Sequence, residues 1–504
     1  MAPAAPVALE QAYRSARRRR EPWEPLWREC FAYAAPVRGG GLHPAFAPAN
    51  RLAEQLFDAT AADAVEQLAA SLLAELTPPW SRWFELIPGS AVSPEEQTLL
   101  VPLLERASRA LHEHFEASNF AVELHQCFLD LVTVGTATLL FQEAPLGERS
   151  AFRFAAVPMA EVYLLGDRDG RPLRLFRTTA VTLGQIRARF PGCTLPEPLG
   201  ERAVREPDAP VELVEAVEPD VQGVVYSAFL PADSTGTSPV LLTTGRFAHS
   251  PFLTFRWLKA AGEVYGRSPV MTALPDIKTA NKVVELILKN ASIAVTGIWL
   301  ADDDGVLNPA NIDLSPGSII PKAPGSAGLT PLQAPGRFDV SQLVLEDLRA
   351  RIRHTLLVDK LGPVASRRMT ATEVLERSAE MNRLLGATYG RLKGELLAPL
   401  IERAVAILVR RGEIPDLPLD GRRVTIGWRS PLARAQARED VQNILLWLQT
   451  IDGLGDVARA VADLPAAVRH LAESLGVPPE LVRDPEPGGA LAARAVLGDR
   501  PHDA

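Results

Sequence analysis

The sequence predicts an α+β chain, on three observations. Apolar residues recur at helical spacing from residue 7 to Val134, the period drops to two between Thr138 and Trp257, and helical spacing returns from Pro275 around a Gly- and Pro-rich interruption. Residues 7–34 make the first helical stretch. The second, Asn50 to Leu76, carries Leu52, Leu56, Val65, Leu68, Leu72, Leu73 and Leu76 on one face, and Pro78-Pro79 ends it. Ser93 as N-cap, Pro94 in the first helical position and Glu96 closing a capping box start a third helix toward Glu116. A fourth runs from Asn119 to Val134.

The middle region then reads as an antiparallel sheet. Runs rich in β-branched and aromatic residues (Thr138 to Phe141, Phe152 to Val157, Glu161 to Leu164, Leu173 to Thr178, Val211 to Val217, Val221 to Phe229, Phe252 to Trp257) are separated by turns such as Asp167-Arg168-Asp169-Gly170. Pro275 and Asp276 open a helix with Ile277, Ala280, Val284, Ile287, Leu288, Ala291 and Val295 on one face, roughly 30 Å long at 1.5 Å per residue. Two short strands, Ile298 to Ala301 and Ser318 to Pro321, lie in the interruption, and Ser341 to Val358 returns as a second helix. The result is a β knob on a two-helix stalk. A capping box at Thr370 and Glu373 starts a long helix to Arg411, kinked at Pro399 because proline removes a donor and clashes with the preceding turn. Arg422 to Trp428 is a strand, and Ser430-Pro431 begins a helix to Thr450.

Composition narrows the function classes. At 47% hydrophobic and 23% charged the chain is an ordinary folded protein, neither disordered nor collagenous. Cys30, Cys127 and Cys193 are too few and too far apart for a disulfide framework or a cysteine zinc site, so the reading is cytoplasmic. No run nears the roughly 18 apolar residues of a membrane span, and no apolar segment follows Arg17 to Arg20 as a signal peptide requires. A net charge of -8 argues against a protein that clings to nucleic acid by counterion release.

Catalytic motifs are missing: there is no phosphate-binding Gly loop before a helix, no HExxH and no GxSxG. His112 and His114, two apart on a helix, point away from one another and read as solvated surface. Asp302-Asp303-Asp304-Gly305 lacks the alternating ligands of a calcium loop and reads as an acidic hairpin turn. Lys278, Lys282, Glu285 and Lys289 fall within about 60° on a helical wheel. They make either a solvated, ion-paired face or a stripe lining a water-filled channel for a polyanion. Gly386, Gly390 and Gly394 cost about 1 kcal/mol each in a helix, which implies close approach of a neighbouring backbone, a deformable segment, or packing inside the subunit.

Four segments in order resemble the head-to-tail connector (portal) proteins of podovirus-type phages. They are Leu56-Phe57-Asp58-Ala59-Thr60 through Thr77-Pro78-Pro79-Trp80-Ser81-Arg82-Trp83-Phe84, then Tyr265-Gly266-Arg267-Ser268-Pro269 with Ala273-Leu274-Pro275-Asp276-Ile277-Lys278-Thr279, then Met369-Thr370-Ala371-Thr372-Glu373-Val374, and Ser430-Pro431-Leu432-Ala433-Arg434-Ala435-Gln436. The resemblance covers about residues 45 to 450. It implies a portal-type ring subunit with a helical and antiparallel-β wing, a two-helix stem, a small β clip insertion and a helical crown. On that plan residues 1–274 are the wing, 275–295 the first stem helix, 296–340 the clip, 341–358 the second stem helix and 359–369 a tunnel loop. Residues 370–429 supply the kinked long helix and return strand of the wing, 430–483 the crown, and 484–504 a Pro/Gly-rich tail where some members carry a helical barrel.

The resemblance further implies a homo-oligomeric ring, usually of twelve copies, at the portal vertex of the virion, assembled in the host cytoplasm. Such a ring is the channel for double-stranded DNA in packaging and ejection. Expected partners are the terminase or packaging ATPase and the tail adaptor, docking on the clip at Asp302, Asp303, Asp304 and Asn308, together with the capsid protein. DNA-channel candidates are Lys278, Lys282 and Lys289 of the stripe and Lys360, Arg367 and Arg368 at the ends of the tunnel loop. No enzyme activity, cofactor, metal or membrane is expected. Two other classes stay open on the residues alone: an enzyme with an unrecognised acidic metal site, and a monomeric scaffold or adaptor. Particle mass separates them.

Overall fold

The computed structural model describes residues 5–38, 56–236, 238–296, 299–301, 329–331, 338–358, 386–429 and 444–451, with isolated positions as far as 472. The chain divides into two compact units, one of Met1–Ala70, Glu123–Leu140 and Ala155–Gly362, the other of Ser71–Val122, Phe141–Phe154 and Pro363–Ala504. The described strands, in chain order, are β1 (Phe84–Pro88), β2 (Thr136–Glu143), β3 (Phe152–Val157), β4 (Val162–Gly166), β5 (Pro172–Thr182), β6 (Pro210–Asp220), β7 (Gly223–Leu230), β8 (Val240–Phe247), β9 (Phe252–Arg256), β10 (Trp299–Ala301), β11 (Leu329–Pro331) and β12 (Val424–Trp428). Mixed helix and antiparallel sheet is thus the architecture.

The first unit is organised by a five-stranded antiparallel sheet in the order β4-β5-β6-β7-β8. Its strands alternate, so both faces carry apolar residues and both are covered. Helix Pro6–Arg20 lays Leu9, Tyr13 and Ala16, spaced four and three apart, on Phe176, Val214, Ala216 and Phe229. On the opposite face Leu183, Ile186, Leu199 and Ala203 pack on Val211, Leu213, Ala228 and Leu230. Their helices, Leu183–Arg189 and Glu197–Arg205, were not expected among strands, and neither was β8. Thr182 and Gln185 form the capping box that converts the end of β5 into the first of them.

Several boundaries differ from expectation. The helix expected from Asn50 begins at Thr60 within the described residues, where Asp58 accepts the Thr60 N–H at 2.9 Å. The stalk's first helix runs Pro269–Thr296, six residues earlier than Pro275 and about 42 Å long. Ser268 explains the shift: its Oγ accepts the Met271 N–H at 2.9 Å and donates to the Thr133 carbonyl, so Pro269 takes the first helical position and Pro275 lies inside the helix. The second stalk helix is Phe338–Thr355, closed by Leu357 at φ 59°. β10 pairs antiparallel with β11, Trp299 opposite Pro331, which makes the two helices an antiparallel pair bearing a hairpin. The expected partner strand, Ser318 to Pro321, lies outside the described residues, as do Thr370, Glu373, most of the crown and the tail.

The second unit is built on aromatic packing. Helix Pro94–Ala117 carries the expected capping box of Ser93 and Glu96, and its Phe115 sits among Trp83, Phe84, Phe120, Phe152 and Phe154 at centroid distances of 4.9 to 6.1 Å. His112 is buried here rather than solvated: its Nε2 lies 2.9 Å from the Phe84 carbonyl, and burial holds its pKa below the ordinary imidazole value. His114 is likewise engaged, accepting the Ala151 N–H on Nδ1 while Nε2 meets Glu413. β1 pairs with β12 in register from Phe84↔Trp428 to Pro88↔Val424. Where a kink was expected at Pro399, the structure has a π-helical turn Lys393–Leu397 followed by helix Ala398–Arg411, which ends at Gly412 with φ 75°. Arg403, Arg410 and Arg411 from that helix hold the end of β2 and the residue after it through Phe141 O, the Glu143 carboxylate and Ala144 O.

Candidate functional site

Three of the ten residues expected to act, Lys278, Lys282 and Lys289, lie on the antiparallel pair, and the first unit fixes that pair at its base. The approach to Pro269 is a close backbone crossing. A Cβ on Gly266 would stand 2.0 Å from the Gly135 carbonyl oxygen, so only glycine fits, and the Gly266 N–H donates to Thr136 Oγ1 at 2.8 Å. Next to it the buried Tyr265 ring packs edge-on to Trp27, and its hydroxyl accepts the Leu164 N–H. Thus the Tyr-Gly-Arg-Ser-Pro segment is the hinge pin that sets where the first stalk helix leaves the sheet.

The Leu-Phe-Asp-Ala-Thr segment binds both helices at once. Asn281, buried on the first helix, accepts the Phe57 and Asp58 N–H groups on Oδ1 at 2.7 and 3.1 Å. From the second helix Arg349 places Nε and Nη2 each 2.8 Å from Asp58 Oδ2. Burial alone would push the Asp58 pKa up, but the Thr60 hydrogen bonds and the Arg349 guanidinium prevail and hold it below the ordinary carboxylate value. Across the pair Arg351 Nη2 meets Asp276 Oδ1 at 2.5 Å. The base is therefore a charged clamp. Sequence reasoning quoted Asp58 only as part of a motif and Asp276 in a motif and at an expected helix start, and missed Asn281, Arg349 and Arg351; an acid two residues before a helix start was the one local signal.

Of the expected channel residues, Lys278, Lys282 and Lys289 are described, and all three are exposed and ion-paired. Lys278 Nζ lies 3.1 Å from Glu29, and Glu285 takes Lys282 at 2.9 Å and Lys289 at 2.6 Å. The Lys289 and Lys282 bonds hold the Glu285 pKa below the ordinary carboxylate value. The stripe is real as a surface, yet much of its charge is answered within the subunit. Lys360, Arg367, Arg368, Asp302, Asp303, Asp304 and Asn308 lie outside the described residues.

Nothing else described is arranged for chemistry. Among the described residues no three His, Cys, Asp or Glu side chains converge as metal ligands, and no helix is long and apolar enough to cross a membrane. A cavity of about 240 Å³ in the second unit is lined by Trp83, His112, Phe115, Glu116 and Phe120, with His112 committed to a backbone carbonyl. Cys30 and Cys127 are buried, and burial raises both thiols, so neither is poised as a nucleophile.

Comparison with known proteins identifies the family. The "Probable portal protein" of Bordetella phage BPP-1 is 26% identical over 511 residues, covering 94% of this chain and 88% of its own. The portal protein of Salmonella phage epsilon15 is 25% identical over 463 residues, covering 86% and 81%. Among solved structures, the virion of a native gene transfer agent particle aligns with 83% of this chain and 90% of the matched one, at 13% identity and a TM-score of 0.34. The family model for the bacteriophage head to tail connecting protein matches residues 7–482, which takes in the sheet, the hinge pin, the clamped helix pair and the helix before Gly412 in one stretch. By that match the chain belongs to the bacteriophage head-to-tail connecting protein family.

Proposed function

We propose that about twelve copies of this structural portal protein close into a ring at one capsid vertex, through which double-stranded DNA is packaged and ejected. The observation that carries the reading is the family match across residues 7–482, which contains a clamped antiparallel helix pair with a hairpin at its far end. That pair is the stem, and the hairpin belongs to the clip, about residues 296–340, where the packaging ATPase and later the tail adaptor dock, with Asp302, Asp303, Asp304 and Asn308 as contact residues. The loop 359–369, with Lys360, Arg367 and Arg368, narrows the channel. The 430–483 segment is the crown.

The lysine stripe faces the channel on this reading. A wall of free cations would bind DNA by counterion release; lysines that already share Glu285 and Glu29 attract phosphate without holding it. Structural duty rather than catalysis is the role of the chain, as it is of a family of connectors. The test is the mass of the purified protein by native mass spectrometry, with cryo-EM of the particle. A closed ring near twelve times the 54.6 kDa subunit is expected, and a stable monomer overturns the reading. In a packaging assay, Lys278→Glu, Lys282→Glu and Lys289→Glu together should impair DNA uptake by rings that still assemble. Wild-type uptake would move the stripe out of the channel.

A further inference from the structure

The cavity of about 240 Å³ lies wholly within the second unit, on apolar walls of Trp83, Phe115, Phe120 and Pro79. Helix Pro94–Ala117 adds two polar residues to its lining, His112 and Glu116, four apart and so on one side of the helix. His112 is 4% exposed, and its Nε2 lies 2.9 Å from the Phe84 carbonyl. A carbonyl only accepts, so Nε2 carries the proton, and burial keeps the ring neutral. Nδ1 is thereby left a bare lone pair, and among the described residues none donates to it.

Two further groups on this lining are unpaired. Thr77, 1% exposed, leaves Oγ1 without a hydrogen bond. Glu116 is exposed and makes no hydrogen bond or ion pair among the described residues. Unpaired polar atoms inside a protein are costly and uncommon, and here they collect on one cavity. A bare imidazole nitrogen and a carboxylate accept and cannot donate, so what completes them brings N–H or O–H groups. The carboxylate favours a positive charge, and a cation beside Trp83 gains from the ring face as well. Arg82, which also acts on His112, is exposed and does not line the cavity.

We propose that this cavity binds a small primary aliphatic amine, its ammonium donating to His112 Nδ1 and the Glu116 carboxylate and its carbon chain lying against Trp83, Phe115 and Phe120. A primary ammonium has three donors, and Thr77 Oγ1 offers a third acceptor on the same lining. The volume is a little under the roughly 300–1,000 Å³ of drug-sized sites and suits a chain of about four carbons. The site belongs to the second unit alone and stands apart from the ring reading, which its failure would leave intact.

Isothermal titration calorimetry of the full-length protein with 1-butylamine at neutral pH, against matched sodium chloride, tests it. Millimolar binding is expected, which is about what so few non-hydrogen atoms can give, with 1-butanol at least about fivefold weaker because it lacks the charge. Glu116 is exposed, so Glu116→Gln spares the fold; it should weaken the amine at least about threefold and leave butanol unchanged. Ala121→Leu, which fills the cavity, should abolish binding of both. Because Nδ1 must be bare, affinity for the amine should also fall as pH drops below about 6.5, with Glu116 still ionised and the circular dichroism of the protein unchanged. Butanol that binds as tightly as the amine overturns the proposal in favour of a merely apolar cavity. Absence of amine binding, an affinity untouched by Glu116→Gln, or one that stays level through the histidine range overturns it outright.

Discussion

The base of the helix pair in the first unit and the core of the second are held by opposite chemistries. Asp58, Arg349, Asp276, Arg351 and Asn281 hold the two helices by charge and hydrogen bonds, several of them partly open to solvent. Phe115, Trp83, Phe84, Phe120 and Phe154 hold the second unit by ring packing with His112 as a neutral member. Burial of aromatic rings is little weakened by ionic strength, whereas ion pairs fix two helices in one register and weaken as ionic strength rises. On the proposed reading of the pair as a channel lining, register matters more to it than bulk stability.

The contrast can be broken by substitution. Phe115→Ala should be the most damaging change, costing about 3–5 kcal/mol as a buried aromatic is replaced by a cavity, and the loss should be equal in low and high salt. A strongly salt-dependent loss in chemical denaturation would erase the distinction. Asp58→Ala should cost about 1.5–3 kcal/mol, toward the lower value because the Arg349 side chain is 37% exposed. Asp58→Asn, which can still accept the Thr60 N–H, should cost less; both variants lose the Arg349 pair, so the difference isolates the Thr60 cap.

Acid should separate the two regions further. A histidine held neutral by burial binds its proton more readily once unfolded, so the second unit should lose stability as pH falls below about 6.5. Asp58 has a lowered pKa, so its contribution is full above about pH 4 and is lost as pH falls further. Hydrogen exchange stepped down in pH should therefore show protection failing around His112 before it fails around Asp58; the reverse order would contradict both assignments. The smallest effect belongs to the stripe. Lys282→Ala leaves Lys289 on Glu285 and should not measurably change the melting temperature.

Much of this was legible in the sequence where local chemistry decides. The capping box at Ser93, the strand Phe152 to Val157 and the turn at Gly170 follow from residue type and spacing. The stripe was legible as a face, but not its pairing to Glu29, which lies 249 residues away along the chain. Asp58 illustrates the remaining gap: a lone acid before a helix looks like a cap, and only the folded chain brings Arg349 to it across 291 residues. His112 failed for the same reason, since exposure of a helix face is decided by what packs on it. Pro275 misled because proline reads as a start signal, while the stronger start, Ser268-Pro269, lay about 1.7 turns earlier.

The π turn at Lys393–Leu397 gives the last long helix two phases. Tyr389, Leu392 and Leu396 keep one rhythm of burial, and Leu397, Leu400, Ile401, Ala404 and Leu408 keep another, displaced by one residue. Pro399 locks the offset, because it has no N–H to offer the Glu395 carbonyl and an unbroken α-helix cannot form through it. A wheel drawn straight through from Gly386 to Arg411 therefore misplaces every residue before Lys393 by about 100°, Gly386 and Gly390 included. Cysteine or spin-label scanning of this helix should be counted separately on either side of the turn, and a single-residue deletion inside it would leave the proline facing an ordinary α-turn that it cannot complete.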